Sequence, residues 1–277
     1  MHPWKTIILK RIENKMERKV CFITGSGSGN GRGMAIRMAE LGYDICLHHS
    51  GRDPQSAEEA KEIIESKGVE CKILTENLSE SGAAQRLFEK FRAEYDRLDV
   101  FVNNSGRTMG GAIMKVDEEV FNTVSNVNFR ACYFCVAEAG KFMREKGIEG
   151  SIIMIGSNHH CVNFPGRTSI YASFKAAMVR FAKWAALEFS PYKIRVNCIA
   201  PGWIDPEYDK TPGYRAKREW VNPTLPLKQM VTSSELADIA HFLSSPSARS
   251  ITGQTIDVDA GDSLLNAPLD AYHFEND

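Results

Sequence analysis

Near the start of the chain an apolar tetrapeptide, Val20-Cys21-Phe22-Ile23, runs straight into Thr24-Gly25-Ser26-Gly27-Ser28-Gly29-Asn30-Gly31. A segment with Met34, Ala35, Ile36, Met38, Ala39 and Leu41 at helical spacing follows. A buried strand, a glycine loop and a helix in this order limit the fold more than any other stretch. Glycines without Cβ let the backbone approach a pyrophosphate, and the helix N-terminus offers unpaired N–H groups and the positive end of its dipole. Any tight turn uses glycine, so the weight comes from context: five glycines between positions 25 and 33 sit at a first strand-to-helix junction.

The alternation set up there continues along the chain. Asp44-Ile45-Cys46-Leu47-His48 reads as a strand, 55–68 as an amphipathic helix, 70–75 as a strand, and 80–95 as a helix with Leu87, Phe88 and Phe91 inward. Val100-Phe101-Val102 is a strand ending in Asn103-Asn104-Ser105-Gly106, and a long helical region spans about 115–145 with Asn128 in its apolar stripe. Strands at 152–155, 194–200 and 255–258 and helices at 171–189 and 233–244 complete the pattern. Seven strands alternating with six helices predict an α/β fold. The expectation is a single Rossmann-type, doubly wound domain whose seven-stranded parallel sheet is covered by helices on both faces. The expected boundaries are an N-terminal helical extension over 1–18, a dinucleotide-binding catalytic domain over 19–263 and a tail over 264–277. The extension has Trp4, Ile7, Ile8, Ile12 and Met16 at helical spacing; it is expected to dock on the body or on a partner subunit, with a membrane-surface helix as the alternative. From Trp203 to Met230 the chain reads as irregular, with four prolines among Tyr208, Tyr214 and Trp220; a segment of that length is expected to work as a lid.

Composition excludes several function classes. A net charge of −1 with 25% charged residues gives no field to hold nucleic acid or an anionic membrane, and no run approaches the apolar length of a membrane span. The seven cysteines fall largely in apolar runs, which fits a reducing, cytoplasmic compartment. Cys132 and Cys135 form a CxxC without a second pair and inside a helical pattern, so no metal site is expected.

The chemistry concentrates in Gly150–Lys175. Ile152-Ile153-Met154-Ile155 breaks at Gly156-Ser157, crosses a loop and re-enters order at Tyr171-Ala172-Ser173-Phe174-Lys175. On a helix, Tyr171 and Lys175 stand one turn apart on one face. A cation fixed beside a phenol stabilises the phenolate, which makes a tyrosine a competent general acid and base, and Ser157 can donate a hydrogen bond to a substrate oxygen. Tyr-x-x-x-Lys alone occurs in many helices; its setting singles it out.

With these pieces placed, residues 18–263 resemble the short-chain dehydrogenase/reductase family. TGSGSGNG at 24–31 is similar to that family's TGxxxGxG, Asn103–Gly106 to its NNAG with Ser105 in place of alanine, and Pro201-Gly202 to its turn beside the nicotinamide. Asn128, Ser157, Tyr171 and Lys175 stand where the family keeps a catalytic tetrad. The resemblance implies hydride transfer between a nicotinamide and the carbon of a secondary alcohol or ketone. Tyr171 would move the proton, Lys175 would assist it and hold the nicotinamide ribose, Ser157 would orient the substrate oxygen, and Asn128 would position water in a proton relay. The cofactor contacts expected are Gly25, Ser28, Gly29 and Gly31 on the loop, and His49, Ser50 and Arg52 at the end of the second strand. Asn77 and Leu78 are expected beside the adenine, Asn104, Ser105 and Gly106 after the fourth strand, then Tyr171, Lys175, Pro201, Gly202 and Ile204. The departures are Asn77 where an acid is common, Pro206 where a threonine is common, and a Ser157 to Tyr171 spacing one residue longer than in some relatives.

No acid stands at the end of the second strand, where NAD-binding units often hold the ribose 2′-hydroxyl, so NAD(H) and NADP(H) both remain open with the lean toward NADP(H). Aromatic and thioether side chains in the loops around the reacting carbon, Met109, Met114, Phe164, Trp203, Tyr208, Tyr214 and Trp220, point to a bulky, steroid-like substrate. His159, His160, Asn163 and Arg167 point instead to a sugar or polyol, and a 3-oxoacyl thioester is the third reading. The resemblance reaches both the bacterial hydroxysteroid and the sugar dehydrogenases of the family. A non-catalytic dinucleotide sensor or scaffold on the same fold is the alternative of another class. Surplus apolar residues on the helices at 115–145 and 171–189, including Phe129, Tyr133, Phe134, Phe174, Phe181 and Trp184, predict a homotetramer or homodimer.

Overall fold

Strand β1 (Val20–Ile23) is buried along its whole length because helices cover both faces of the sheet it belongs to. The computed structural model describes residues 18–163, 168–205 and 212–265, with backbone alone for 212–216. The expected N-terminal helix, the tail beyond 265, and Phe164, Arg167, Pro206, Tyr208 and the Tyr214 side chain lie outside the described residues.

After β1 come α1 (Gly29–Glu40), β2 (Asp44–His49), α2 (Pro54–Glu65), β3 (Cys71–Thr75), α3 (Ala83–Glu94) and β4 (Val100–Asn103). Two further helices, α4 (Glu118–Ser125) and α5 (Ala131–Lys146), are joined through a π-helical turn, Asn126–Arg130. Then follow β5 (Ser151–Ile155), α6 (Ser169–Phe189), β6 (Arg195–Pro201), β7 (Ile204–Asp205), α7 (Pro212–Val221), β8 (Val231–Thr232), α8 (Ser233–Ser244) and β9 (Thr255–Val258). Seven strands form one sheet in the order β3-β2-β1-β4-β5-β6-β9, with every pairing parallel, as the sequence pattern predicts.

Alternation along each strand divides the interior in two. Phe22, Phe101, Ile152, Met154 and Cys198 face α3, α5 and α6, where Phe22 stacks on Phe91 with ring centroids 4.9 Å apart. Cys21, Ile23, Ile45, Leu47, Val102, Ile153 and Ile199 face α1, α2 and α8. Local signals fix the helix starts. Asp117 accepts the Val120 N–H at the start of α4, and Thr232 and Glu235 close a capping box at the start of α8.

The order of strands reverses between β1 and β4, because the chain runs outward to β3 and then crosses back. Diverging connections leave a crevice beyond the carboxyl ends of those two strands, which is where ligands of open α/β sheets bind. The segment expected to be irregular, 203–230, differs from its reading. β7 pairs in parallel with β8, and α7 begins at Pro212, a residue suited to a helix's first position because it has no N–H to satisfy. Val221, Leu225 and Met230 form a small core there, against which Trp203 and Ala260 pack, and Arg218 pairs with Asp205 through two hydrogen bonds.

Candidate active site

The crevice at the switch point is a cavity of about 600 Å³. Thr24, directly after β1, joins its two walls: its N–H donates to the Val102 carbonyl at 3.0 Å, and its hydroxyl accepts the N–H groups of Asn104 and Ser105, each at 3.0 Å. Asn104 answers from the other side, donating its amide to the carbonyls of Thr24 at 2.9 Å and Gly25 at 3.1 Å and accepting from Asn30 at 3.0 Å. The glycine loop is thus bound to the end of β4 before any ligand arrives.

Glycine is required by geometry at more than one position of the loop. Gly25 has φ +65°, a left-handed conformation that side chains disfavour. A Cβ on Gly31 would lie 2.3 Å from the Gly25 oxygen and 2.6 Å from the Asn104 amide nitrogen. The first turn of α1 therefore lies against the loop, as the backbone of a pyrophosphate cradle must. Of the expected contacts, all but Gly29 border this crevice; Gly29 opens α1 with nothing within 4 Å of its Cβ position, so it shapes the turn and does not line the cleft. Asp53, the acid nearest the end of β2, caps α2 by accepting the Ser56 N–H at 3.1 Å. Ser50 and Arg52 line the cleft beside it.

Ser157, Tyr171 and Lys175 border the same crevice at the far end of β5. Lys175 is buried on α6; its ammonium donates to the Ile155 carbonyl at 2.7 Å and lies 5.5 Å from the centre of the Tyr171 ring. The helix expected over 171–189 begins two residues earlier and brings the phenol and the ammonium onto one face. Ser157 Oγ accepts the His159 N–H at 3.3 Å, which caps a single 3-10 turn and orients the hydroxyl. The phenol, hydroxyl and ammonium form a group that can hold a carbonyl oxygen and pass it a proton.

Asn128 lies one layer behind the residues that line the crevice. It is buried on the π-turn behind the crevice. Its oxygen accepts from the Arg107 N–H at 3.1 Å, and its nitrogen donates to the carbonyls of Arg107 and Val124, both at 2.9 Å. The amide clamps the loop after β4, which bears on the cleft, and these three bonds are all to backbone. Gly106 lies in front of it: a Cβ there would sit 2.9 Å from Asn128 Oδ1 and 3.7 Å from the Lys175 nitrogen.

Sequence reasoning missed His48 as a site residue. It is buried under the glycine loop, and burial pushes its pKa down to about 4, so its ring is neutral at ordinary pH. A second cavity of about 280 Å³ lies beside Tyr171, lined by Gly111, Ala112 and Ile113 on one wall and His159, Asn163, Thr168 and Ser169 on another. The His159 ring stands edge-on to Tyr171 with centroids 5.4 Å apart, and burial lowers its pKa as well. His160 turns away and meets Asp257 at 2.8 Å; with Cys161 they bring three donor atoms within 4.8 Å of one another at the sheet edge, away from both cavities, where no metal site was expected. Cys132 and Cys135 are buried, and burial raises both thiols, Cys132 to about 12.

Comparison with known proteins agrees with this geometry. Residues 25–263 match the family profile described as enoyl-(acyl carrier protein) reductase. The 3-oxoacyl-[acyl-carrier-protein] reductase of Staphylococcus aureus is 30% identical over 244 residues, 88% of this chain and 97% of that protein. The chain belongs to the short-chain dehydrogenase/reductase family. Among solved structures, the acetoin dehydrogenase from Enterobacter cloacae superposes with a TM-score of 0.80 at 30% identity, over 90% of this chain and 96% of that one. A short-chain type dehydrogenase/reductase from Mycobacterium marinum gives a TM-score of 0.78 at 26% identity, over 88% and 94%. As a member of the family this protein is an oxidoreductase acting on CH–OH and keto groups. Among the described residues no helix is long and apolar enough to cross a membrane.

Proposed function

We propose that the protein interconverts a ketone and a secondary alcohol with NADP(H) in preference to NAD(H), using Tyr171 as general acid and base. The observation that carries the reading is that Ser157, Tyr171 and Lys175 border the same crevice as the glycine loop. The fit to a dinucleotide rests on Gly25 and Gly31, where any side chain would fill the cradle, and the preference for NADP(H) rests on Arg52 and Ser50 lining the cleft; Asp53 borders it too, but one of its carboxylate oxygens caps α2 by accepting the Ser56 N–H. When bound, the nicotinamide would give or take the hydride at the reacting carbon. Tyr171 gives a proton to the carbonyl oxygen in reduction and takes it back in oxidation. Ser157 holds that oxygen, and Lys175, anchored on Ile155, stabilises charge on the phenol. Asn128 acts by holding Arg107 at the cleft wall. The catalytic unit is 19–263 with 203–230 as its lid.

For the substrate, the cavity beside Tyr171 favours a compact molecule with a second oxygen near the carbonyl, such as a hydroxylated ketone or sugar. Its four polar lining residues, His159, Asn163, Thr168 and Ser169, can hydrogen-bond through side chains that carry no formal charge at neutral pH. The steroid-like substrate suggested by the aromatic count loses its support: Trp203 packs edge-on to Trp220 at 5.9 Å, Lys217 lies over the Trp203 ring, and Met114 is 96% exposed. A 3-oxoacyl thioester is the second reading, favoured by what the Staphylococcus aureus relative is named for. Assembly as a homotetramer or homodimer is part of the proposal. Phe129 on the π-turn packs with Phe174 and Phe181 of α6, but Phe121 on α4, Tyr133 and Phe134 on α5, and Trp184 and Leu187 on α6 remain exposed.

The test is Tyr171→Phe, assayed by nicotinamide absorbance with NADPH and NADH against hydroxylated ketones, sugars, 3-oxoacyl thioesters and steroids. Loss of the general acid is expected to lower turnover by about 10²–10⁴-fold while dinucleotide binding persists. Turnover near that of the unmodified protein would refute the assignment, and turnover of steroids alone would refute the compact substrate.

A further inference from the structure

Strand β2 ends in two histidines with different surroundings. His49 sits at the rim, where its ring accepts the Gly51 N–H at 3.2 Å and meets the Thr75 hydroxyl at 2.8 Å. His48 points under the glycine loop and is almost wholly buried. Its Nδ1 lies 2.9 Å from the Gly25 N–H, and its Nε2 lies 2.9 Å from the Glu76 carbonyl oxygen. A backbone N–H can only donate and a carbonyl can only accept, so the two contacts fix one tautomer: the proton is on Nε2 and the lone pair on Nδ1. The backbone on either side is held too. The His48 N–H donates to Ser26 Oγ at 3.0 Å, Ser26 Oγ donates to the Ile23 carbonyl at 2.7 Å, and the Ser26 N–H donates to the His48 carbonyl at 2.8 Å.

One neutral ring therefore ties two walls of the crevice. Gly25, in its left-handed conformation, begins the loop; Glu76 immediately precedes Asn77 and Leu78, which border the cleft on the β3 side. We propose that His48 is a positioning residue for the dinucleotide, whose neutral imidazole sets the Gly25 peptide and the Glu76–Leu78 segment at the spacing that NADP(H) requires. This rests on the reading of the crevice as a dinucleotide site. It goes beyond that reading by placing the control in a side chain beneath the loop and in the lone pair of its Nδ1. An imidazolium has no lone pair for Gly25, so charging the ring would open the latch. The charged and titratable groups facing the ring are His49 on β2, Glu76 after β3 and Lys90 on α3. The Glu76 carboxylate is itself bound by Arg86 and Lys90 at 2.8 Å each, so it is engaged elsewhere and its backbone carbonyl is what meets the ring. Burial holds the ring neutral across the ordinary pH range.

The two ring nitrogens can be tested separately. Asparagine at this position places an acceptor near the site of Nδ1, glutamine reaches toward the site of Nε2, and leucine supplies neither. NADPH and NADH are titrated into the unmodified protein and into His48→Asn, His48→Gln and His48→Leu, followed by protein fluorescence, with thermal melts as the check on folding. The expected result is a smaller rise in dissociation constant, about threefold to fivefold, for His48→Asn, which keeps the bond to Gly25 and gives up the one to Glu76. A rise of about tenfold or more is expected for His48→Gln and His48→Leu, equal to a lost hydrogen bond of about 1.4 kcal/mol. In steady state, KM for the dinucleotide should rise more than kcat falls. A nitrogen-15 spectrum of the unmodified protein should show the Nε2-protonated tautomer for His48. This keeps the test alive should the leucine variant fail to fold. Equal binding by folded His48→Gln or His48→Leu, or an Nδ1-protonated ring, overturns the latch alone. Failure of the unmodified protein to bind either dinucleotide overturns the reading of the crevice and the latch with it.

Discussion

Gly31→Ala tests the cradle where the structure leaves least room. The added methyl would stand 2.3 Å from the Gly25 oxygen, 2.9 Å from the Gly25 carbonyl carbon and 2.6 Å from Asn104 Nδ2. Carbon and oxygen seldom approach closer than about 3.3 Å, so the loop and the first turn of α1 must separate by about 1 Å. Asn104 cannot swing aside without giving up its bonds to Thr24 and Gly25. Overpacking of this kind costs about 1–3 kcal/mol, and each lost hydrogen bond about 1 kcal/mol more. The relieved loop is displaced from the conformation that receives a pyrophosphate, and returning it on binding restores that strain. At about 1.4 kcal/mol per tenfold, NADPH affinity should fall by roughly 10–100-fold. Gly29→Ala is the control, because its Cβ meets nothing within 4 Å and only its φ of +55° is strained. Fluorescence titration with NADPH, read beside the thermal melt of each variant, measures both. The reasoning fails if Gly31→Ala binds within about threefold of the unmodified protein while Gly29→Ala loses more.

Acid should weaken the fold through His48. Its ring takes a proton near pH 6.5 in the unfolded chain but resists until about pH 4 in the folded one, so the unfolded state binds more protons in between and stability falls as pH falls through that window. The difference amounts to about 3 kcal/mol, and urea unfolding at neutral pH and near pH 4 should show a flatter acid limb for His48→Asn than for the unmodified protein. The exposed apolar face on α4, α5 and α6 predicts a homotetramer or homodimer by light scattering at micromolar concentration; a monomer there would contradict it.

The sheet was legible because its strands are continuous apolar runs and its helices carry one apolar stripe each, so period and burial point to the same answer in every segment. The grouping of Ser157, Tyr171 and Lys175 at the crevice was legible because they lie within nineteen residues of one another, on one strand end and one helix. What escaped depends on contacts across long stretches of chain. The π-turn at Asn126–Arg130 has no residue signature, and the role of Asn128 follows from Arg107, twenty-one residues earlier. His48 reads in sequence as the polar end of a strand; only the loop above it and Glu76, twenty-eight residues later, make it a latch.

The segment 203–230 departs from its irregular reading for a local reason that also bears on the proposed substrate. Pro212 and Pro223 suggest irregular chain, yet one opens α7 and the other lies just beyond it, at the two places where proline suits a helix boundary. Once α7 exists, Val221 is buried in the small core with Leu225 and Met230, and Trp220 turns outward, 67% exposed, against Trp203. Trp203 and Trp220, counted toward a lipophilic pocket, are thus used to pack the 203–230 segment on itself, and Arg218 holds that packing to Asp205 on β7. The wall left beside Tyr171 is short side chains and the neutral polar groups of His159, Asn163 and Thr168. On the proposed reading such a wall would gain little from an apolar skeleton and would favour a second oxygen, because polar groups left without a partner on binding cost more than an imperfect apolar contact.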